Sequence, residues 1–223
     1  MKIRLLRFTK NPEKICAIAA RLCYSNIDVN KISKNLTKSE IKNLLNKVII
    51  SGHNSVLEHA SFTFSIENVS RALLTQLTRH RIASFSVQSQ RYVKFKTDTI
   101  FIVPKTIKNS VKLYKKYKNL LTDILKIYNQ LLDAGIPVED SRYVLPNAST
   151  VKIIITMNVR ELRHFFLIRT CNKAQWEIRN MANRMLHLVT KKAPLLFFKS
   201  GPNCLENECH EMSSCDKSKN KKR

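Results

Sequence analysis

The run Ser61-Phe62-Thr63-Phe64-Ser65-Ile66-Glu67-Asn68-Val69-Ser70-Arg71-Ala72-Leu73-Leu74-Thr75-Gln76-Leu77-Thr78-Arg79-His80-Arg81 changes its hydrophobic period partway along. Phe62, Phe64 and Ile66 alternate with Ser61, Thr63 and Ser65, as a half-buried strand requires. Val69, Ala72, Leu73 and Leu77 then share one face at helical spacing, with Asn68 placed to cap them. A strand passing directly into a helix that delivers Gln76, Arg79 and His80 at its end makes the chain a mixture of both element types.

Outward from this run, the pattern is mostly helical. Thr37 and Glu40 have capping-box spacing, Ile41, Leu44, Leu45 and Val48 follow at 3/4 intervals, and Gly52 stands at the helix end. Val111, Tyr114, Tyr117, Leu121, Ile124, Tyr128 and Leu131 mark a long helix between about Ser110 and Ala134, closed by Gly135 and Pro137. A short helix is expected between Pro137 and Pro146. The β-branched run from Val151 to Met157 reads as a largely buried strand. Asn158 with Glu161 caps the next helix, and Asn172 with Gln175 opens another, so Arg169 falls beside a break between the two. The mixed order gives an α+β class: one domain over residues 1–200, with helices packed on a mainly antiparallel sheet, and a mobile basic tail over 201–223.

Composition bounds the function. The 223 residues are 43% hydrophobic with 3 Gly and 6 Pro, which excludes collagen-like, linker-like and wholly disordered chains. Forty Lys+Arg against 16 Asp+Glu leave a net charge of +24, a surface that attracts anions, although Lys-rich solvated faces account for the same number. No apolar run reaches signal-peptide or membrane-span length, and six cysteines are too few and uneven for a secreted disulfide framework. The expectation is a cytoplasmic protein with reduced thiols. Cys16, Cys23 and Cys171 read as small buried hydrophobes. Cys204, Cys209, His210 and Cys215 could together ligate zinc, but they lack a Cys-x2-Cys knuckle and Cys209 adjoins His210, so no metal is expected.

The chemistry concentrates in Arg79-His80-Arg81-Ile82-Ala83-Ser84-Phe85-Ser86-Val87-Gln88-Ser89-Gln90-Arg91-Tyr92. Its three arginines, one histidine and several hydroxyls suit a phosphate or a planar ring with carbonyls, because guanidinium groups make paired, charge-assisted hydrogen bonds to such acceptors. A solvated helix end is the plainer alternative, yet nothing nearby in sequence supplies acidic partners for these arginines. Ser89 lacks an identifiable base, and a hydroxyl without one is a poor nucleophile, so substrate hydrogen bonding is its expected role.

Arg79-His80-Arg81, seven residues, then Ser89-Gln90-Arg91 resembles the Arg-His-Arg, x7, Ser-x-Arg signature of the flavin-dependent thymidylate synthases. Gly52-His53-Asn54-Ser55 with Glu58-His59, Ser141-Arg142-Tyr143-Val144-Leu145-Pro146, Asn158-Val159-Arg160 with His164 and Arg169, and Ala174-Gln175-Trp176-Glu177 resemble further elements of that family in the family's order. The resemblance implies synthesis of dTMP from dUMP, with methylenetetrahydrofolate as one-carbon donor, FAD as cofactor and NADPH as reductant, in a homotetramer whose sites are shared between subunits. It implies FAD contacts at His53, Ser55, Arg79, His80, Arg81, Val87, Asn158, Val159, Arg160 and His164. For dUMP it implies Gln76, Arg79, Val87, Gln88, Ser89, Gln90, Arg91, Arg142 and Arg169, with Arg91 and Arg142 at the phosphate. Arg169 is the expected catalytic residue, a guanidinium stabilising charge on the uracil ring when N3 ionises. Val87 stands where the family has Glu or Gln, which leaves its backbone as the expected contact. No nucleic-acid or membrane partner is expected. The alternatives are a basic nucleic-acid-binding protein, for which no recognition motif is present, and a flavoprotein of the same fold acting on another nucleotide.

Overall fold

The computed structural model describes residues 1–95, 101–205, 209 and 215. In chain order it runs β1 (Lys2–Phe8), α1 (Pro12–Leu22), α2 (Val29–Asn35), α3 (Lys38–Ser51), a 3-10 turn (Asn54–His59), β2 (Ser61–Ser70), α4 (Arg71–Leu77), β3 (Ala83–Val87) and α5 (Lys105–Lys108). There follow α6 (Val111–Asp133), α7 (Val138–Ser141), a 3-10 turn (Arg142–Val144), β4 (Thr150–Asn158), α8 (Val159–Arg169) and α9 (Trp176–Thr190). The strands form one antiparallel sheet in the order β1-β2-β4-β3, which matches the expected α+β class. Across β2 and β4 the hydroxyls of Thr63 and Thr156 lie 2.9 Å apart.

The chain packs as two compact units, and β2 and β4 each run from one into the other. One unit comprises Met1–Lys2, Ile66–Arg79 and Phe85–Ile154. Its core includes Ile66, Leu73, Leu77, Leu121, Tyr128, Val151 and Ile153. The buried Tyr128 hydroxyl accepts the Phe95 amide at 3.1 Å, so a polar tip inside this core is satisfied. The other unit comprises Ile3–Ser65, His80–Ser84 and the chain from Ile155 onward. A continuous series of ring contacts, Phe8–Phe62–Phe197–Phe166–Phe165–His80, runs from β1 to the imidazole with centroid spacings of 5.0 to 5.9 Å. Edge-on and offset rings at such spacings add to the area they bury, so this series fixes where His80 sits.

Local signals place most helix ends. Thr37 and Glu40 form a complete capping box, and Gly52 and Gly135 take φ of 74° and 82° at the ends of α3 and α6, where a side chain would be strained. Three readings change. β2 continues to Ser70, whose hydroxyl accepts the Leu73 amide at 3.0 Å, so Ser70 rather than Asn68 caps α4. Gln175 rather than Asn172 caps α9, accepting from Glu177 and Ile178. β4 alternates instead of burying both faces: Val151, Ile153, Ile155 and Met157 are buried, whereas Ile154 is 46% exposed. An antiparallel sheet needs only one covered face. Of the three cysteines expected inside, only Cys16 is buried; Cys23 is exposed at the end of α1, and Cys171 is half-buried. Gly201, Pro202 and Cys204 are buried. His210 and most of the remaining residues expected to form the mobile tail lie outside the described residues. Among the described residues no group of three His, Cys, Asp or Glu is arranged to hold a metal, and no helix is long and apolar enough to cross a membrane.

Candidate functional site

The junction of β4 and α8 builds the first part of the site. Asn158 ends the strand and its side chain accepts the Glu161 amide at 2.9 Å, while the Val159 amide donates to Ala60 O at 2.9 Å. With Asn158 supplying the cap, the Glu161 carboxylate is released for another use. Glu161, Phe165 and Arg169 lie four residues apart on α8 and therefore line one helix face. His80 fits against that face. Its ring meets Phe165 edge-on at 5.0 Å, its Nδ1 is 2.9 Å from Glu161 Oε1, and its Nε2 accepts Arg169 Nε at 3.0 Å. Burial pulls the His80 pKa below the ordinary imidazole value of 6.5, and the hydrogen bond to Glu161 works against that fall. Burial also lowers the Arg169 pKa from its ordinary value.

A cavity of about 620 Å³ within the same unit is lined from α8 by Arg160, Arg163, His164 and Leu167, and also by Glu161. Asn158, Arg160 and His164 bring polar groups to it, and Ile49, Ile82 and Leu167 bring apolar ones. Asn54 and Glu58 of the first 3-10 turn also line it, with Glu58 paired to Arg160. The remaining wall is Lys199–Asn203. Arg163 holds this wall in place, its Nη1 donating to Leu196 O at 2.9 Å, Phe198 O at 3.0 Å and Ser200 Oγ at 2.9 Å. His53, Ser55 and Arg81 are exposed in this unit, and His53 Nδ1 is 3.5 Å from the Tyr24 hydroxyl. Val159 points into the core. A cavity of this volume is in the range of cofactor sites, and its pairing of apolar side chains with cationic and amide donors fits an anionic, aromatic group such as a flavin nucleotide.

The other unit gathers the remaining residues. Arg91 pairs with the Glu139 carboxylate, and Arg142 Nε donates to the Glu139 carbonyl at 3.0 Å. Arg71 has its pKa lowered by burial and by the charge of Arg142, so a third guanidinium stands close to the second. One carboxylate among three arginines leaves a surplus of positive charge suited to a phosphate. Gln88 extends the β3 pairing by donating to Lys152 O at 2.9 Å. The Ser89 hydroxyl accepts the Arg91 amide at 3.0 Å, and among the described residues no His or carboxylate is hydrogen-bonded to it, which is consistent with a positioning group. Gln90 is 7% exposed, and its Nε2 has no hydrogen-bond partner among the described residues. A buried unsatisfied donor of this kind is rare in native proteins and calls for an acceptor. Val87 is half-buried at the end of β3, Gln76 lies on α4 with Nε2 3.3 Å from Ala72 O, and Arg79 is exposed in the turn after α4.

Sequence reasoning singled out the cations and missed their acidic partners. Glu58, Glu139 and Glu161 lie 102, 48 and 81 positions from Arg160, Arg91 and His80. Glu161 carried a local signal, but as a cap; its side chain serves His80 instead. Arg71, Arg163 and the wall from Lys199 to Asn203 carried no signal at all.

An α+β fold that presents an arginine-rich surface and a cationic, partly apolar cavity defines a protein that handles nucleotide-like anions. Residues 4–195 match the family model described as thymidylate synthase complementing protein. The chain is 49% identical over 212 residues to a flavin-dependent thymidylate synthase of Geobacter sulfurreducens, covering 95% of this chain and 91% of the relative. It is 46% identical to the enzyme of that name from Clostridium tetani, covering 97% and 94%, and 39% identical to that from Pyrococcus abyssi, covering 92% and 87%. The chain belongs to the flavin-dependent thymidylate synthase family. Its fold is also that of a UMP/dUMP methylase, PolB, from Streptomyces cacaoi solved with 5-Br dUMP (TM-score 0.80, 24% identity, 90% of this chain and 95% of that one).

Proposed function

We propose that this protein makes dTMP from dUMP, taking a one-carbon unit from methylenetetrahydrofolate and reducing equivalents from NADPH. The observation that carries this reading is membership of the family over residues 4–195. FAD is the cofactor, and when bound it supplies the redox chemistry that no side chain offers. In this reading His53, Ser55, Arg79, His80, Arg81, Val87, Asn158, Val159, Arg160 and His164 hold the flavin nucleotide, with Asn158, Arg160 and His164 acting from the cavity wall. Gln76, Arg79, the loop from Val87 to Arg91, Arg142 and Arg169 receive dUMP, and Gln90 Nε2 finds an acceptor there. The surplus charge of Arg71, Arg91 and Arg142 supports the phosphate end.

Arg169 then works on the uracil ring. A guanidinium at the O2 and N3 edge favours the N3-ionised ring, and the charge spread onto C5 lets that carbon attack the one-carbon unit without an enzyme nucleophile. In the overall change the C5 hydrogen is lost as a proton and a methyl group takes its place. The balance is dUMP, methylenetetrahydrofolate, NADPH and H⁺ giving dTMP, tetrahydrofolate and NADP⁺. A homotetramer acting in the cytoplasm belongs to the same proposal. Supporting self-association, α6 exposes apolar side chains at a seven-residue spacing, Leu113, Leu120 and Ile127 being 58%, 54% and 46% exposed. The test is dTMP formation from the three substrates with and without added FAD, beside the oligomeric mass in solution; no dTMP with FAD bound and all three substrates present contradicts the reading.

A further inference from the structure

Three groups in the second unit form a chain whose protonation is fixed by geometry. Arg169 Nε carries a hydrogen and can only donate, so His80 Nε2, 3.0 Å away, must be an acceptor. An imidazole that accepts at Nε2 is neutral and carries its proton on Nδ1, and that proton points to Glu161 Oε1 at 2.9 Å. Both His80 and Glu161 are 6% exposed, so neither exchanges these partners freely with water. Eight residues of helix, a rise of about 12 Å, separate Glu161 from Arg169. The ring spans that gap with one nitrogen toward each end while its edge meets Phe165 between them.

We propose that Glu161 is a positioning residue for Arg169: its carboxylate accepts the Nδ1–H of His80, holds the imidazole in the tautomer that leaves Nε2 open, and so aims the Arg169 guanidinium. The proposal rests on Arg169 acting on the substrate as set out above, and it goes further by assigning a role to a carboxylate that is not among the flavin and dUMP residues of that reading. Asn158 already caps α8, so helix formation does not require the Glu161 side chain. The titratable groups facing His80 are Glu161, Arg169 and His164, all on α8, with the His164 ring 6.1 Å away. Of these, only Glu161 favours a protonated ring. Protonation removes the Nε2 acceptor and releases Arg169. The chain is therefore intact at neutral pH and fails on the acid side.

The test uses the full-length holoenzyme with FAD bound and compares wild type, Glu161→Gln and Glu161→Leu. The amide oxygen of Gln still accepts Nδ1–H, whereas Leu cannot accept at all. For Glu161→Leu, kcat compared at matched bound FAD and saturating dUMP should fall on the order of 10- to 100-fold, the scale of small misplacements of a reacting group. Glu161→Gln should restore most of that loss. It should also move the acid limb of the kcat profile to lower pH, because the negative charge that favours protonated His80 is gone. Nitrogen NMR of the ring, assigned by difference against His80→Gln, should show Nδ1 protonated in wild type. An Nε2-protonated ring, or wild-type kcat with an unmoved acid limb in both variants, overturns the proposal. If Glu161→Leu does not fold, the acid limb of Glu161→Gln decides alone. If wild type makes no dTMP while the ring is Nδ1-protonated, the functional reading fails and the positioning chain stands.

Discussion

Arg163 Nη1 lies 2.9 Å from Ser200 Oγ, and the same nitrogen reaches the carbonyls of Leu196 and Phe198. The family match ends at residue 195, so this one guanidinium ties a segment outside the matched region to α8 inside it. Lys199, with φ of 54°, sits in that segment and lines the cavity. A non-glycine residue in the left-handed region persists only where its surroundings hold it there.

Replacing Arg163 with Ala should therefore loosen the wall and weaken FAD binding. Two carbonyls and a hydroxyl lose a charged donor, a cost of about 1–3 kcal/mol in the ordered wall, and the FAD dissociation constant should rise on the order of 10-fold. Flavin fluorescence titration of apoprotein measures this. Unchanged affinity would show that the wall contributes nothing to the cofactor site.

His80 predicts how folding stability depends on pH. Its folded pKa is lowered by burial, so below the ordinary value of 6.5 the unfolded chain binds a proton more readily than the folded one. The stability contributed by the neutral ring is complete above that value and is lost as pH falls toward the folded pKa. Urea unfolding of wild type should show a fall in stability between pH 7 and pH 5 that is smaller in His80→Gln. Equal falls in the two proteins would place the acid sensitivity elsewhere.

Much of the fold was legible because its signals are local. The Thr37–Glu40 box, the glycine at 135 and the Asn158 cap each depend on side chains within a few positions, and the change of period after Ser61 needs nothing beyond the run itself. β3 went unread: Ala83, Phe85 and Val87 alternate with Ser84 and Ser86 at strand spacing, but the run is five residues long and sits inside the arginine- and hydroxyl-rich stretch. It becomes a strand by pairing with β4, far away in sequence. Ser70 displaced Asn68 as a cap because β2 runs on to the helix, with Asn68 taking φ of 57°. In the candidate site the cations were legible through their spacing. Glu58, Glu139 and Glu161 were not, since packing alone brings them to their partners, and Gln90 showed its missing acceptor only once its burial was known.

That missing acceptor gives a prediction with opposite signs for folding and binding. Gln90→Leu removes a buried donor with no partner among the described residues, which costs about 1–3 kcal/mol where it stands, so the free protein should be as stable or more stable. If Gln90 Nε2 donates to dUMP, the same substitution should weaken dUMP binding several-fold. Thermal unfolding and dUMP titration on one preparation separate the two effects. Lower stability with unchanged dUMP affinity would mark Gln90 as structural.

Phe62 tests the ring series. It is fully buried, its centroid 5.8 Å from Phe8 and 5.5 Å from Phe197, and Phe197 continues through Phe166 and Phe165 to His80. Phe62→Ala should destabilise the protein by about 3–5 kcal/mol. Phe62→Leu should cost less while leaving dTMP formation measurable, and denaturant midpoints provide the comparison.

Arg169 itself carries the last prediction. Its Nε donates to His80, which fixes that edge of the guanidinium, and the charge it offers does not depend on pH in the working range. Removing one preorganised charge stabiliser costs roughly 10²- to 10³-fold in turnover, and Arg169→Ala should lose at least that much dTMP formation while retaining bound FAD. Arg169→Lys keeps a charge but lacks the planar fork and the Nε–H that meets His80, so it should recover only a small part of the rate. The rate of single-turnover dTMP formation on enzyme with matched flavin content isolates this step from cofactor loss. Near-normal turnover in Arg169→Ala would move the activation of the uracil ring to another residue, with Arg79 the next guanidinium to remove.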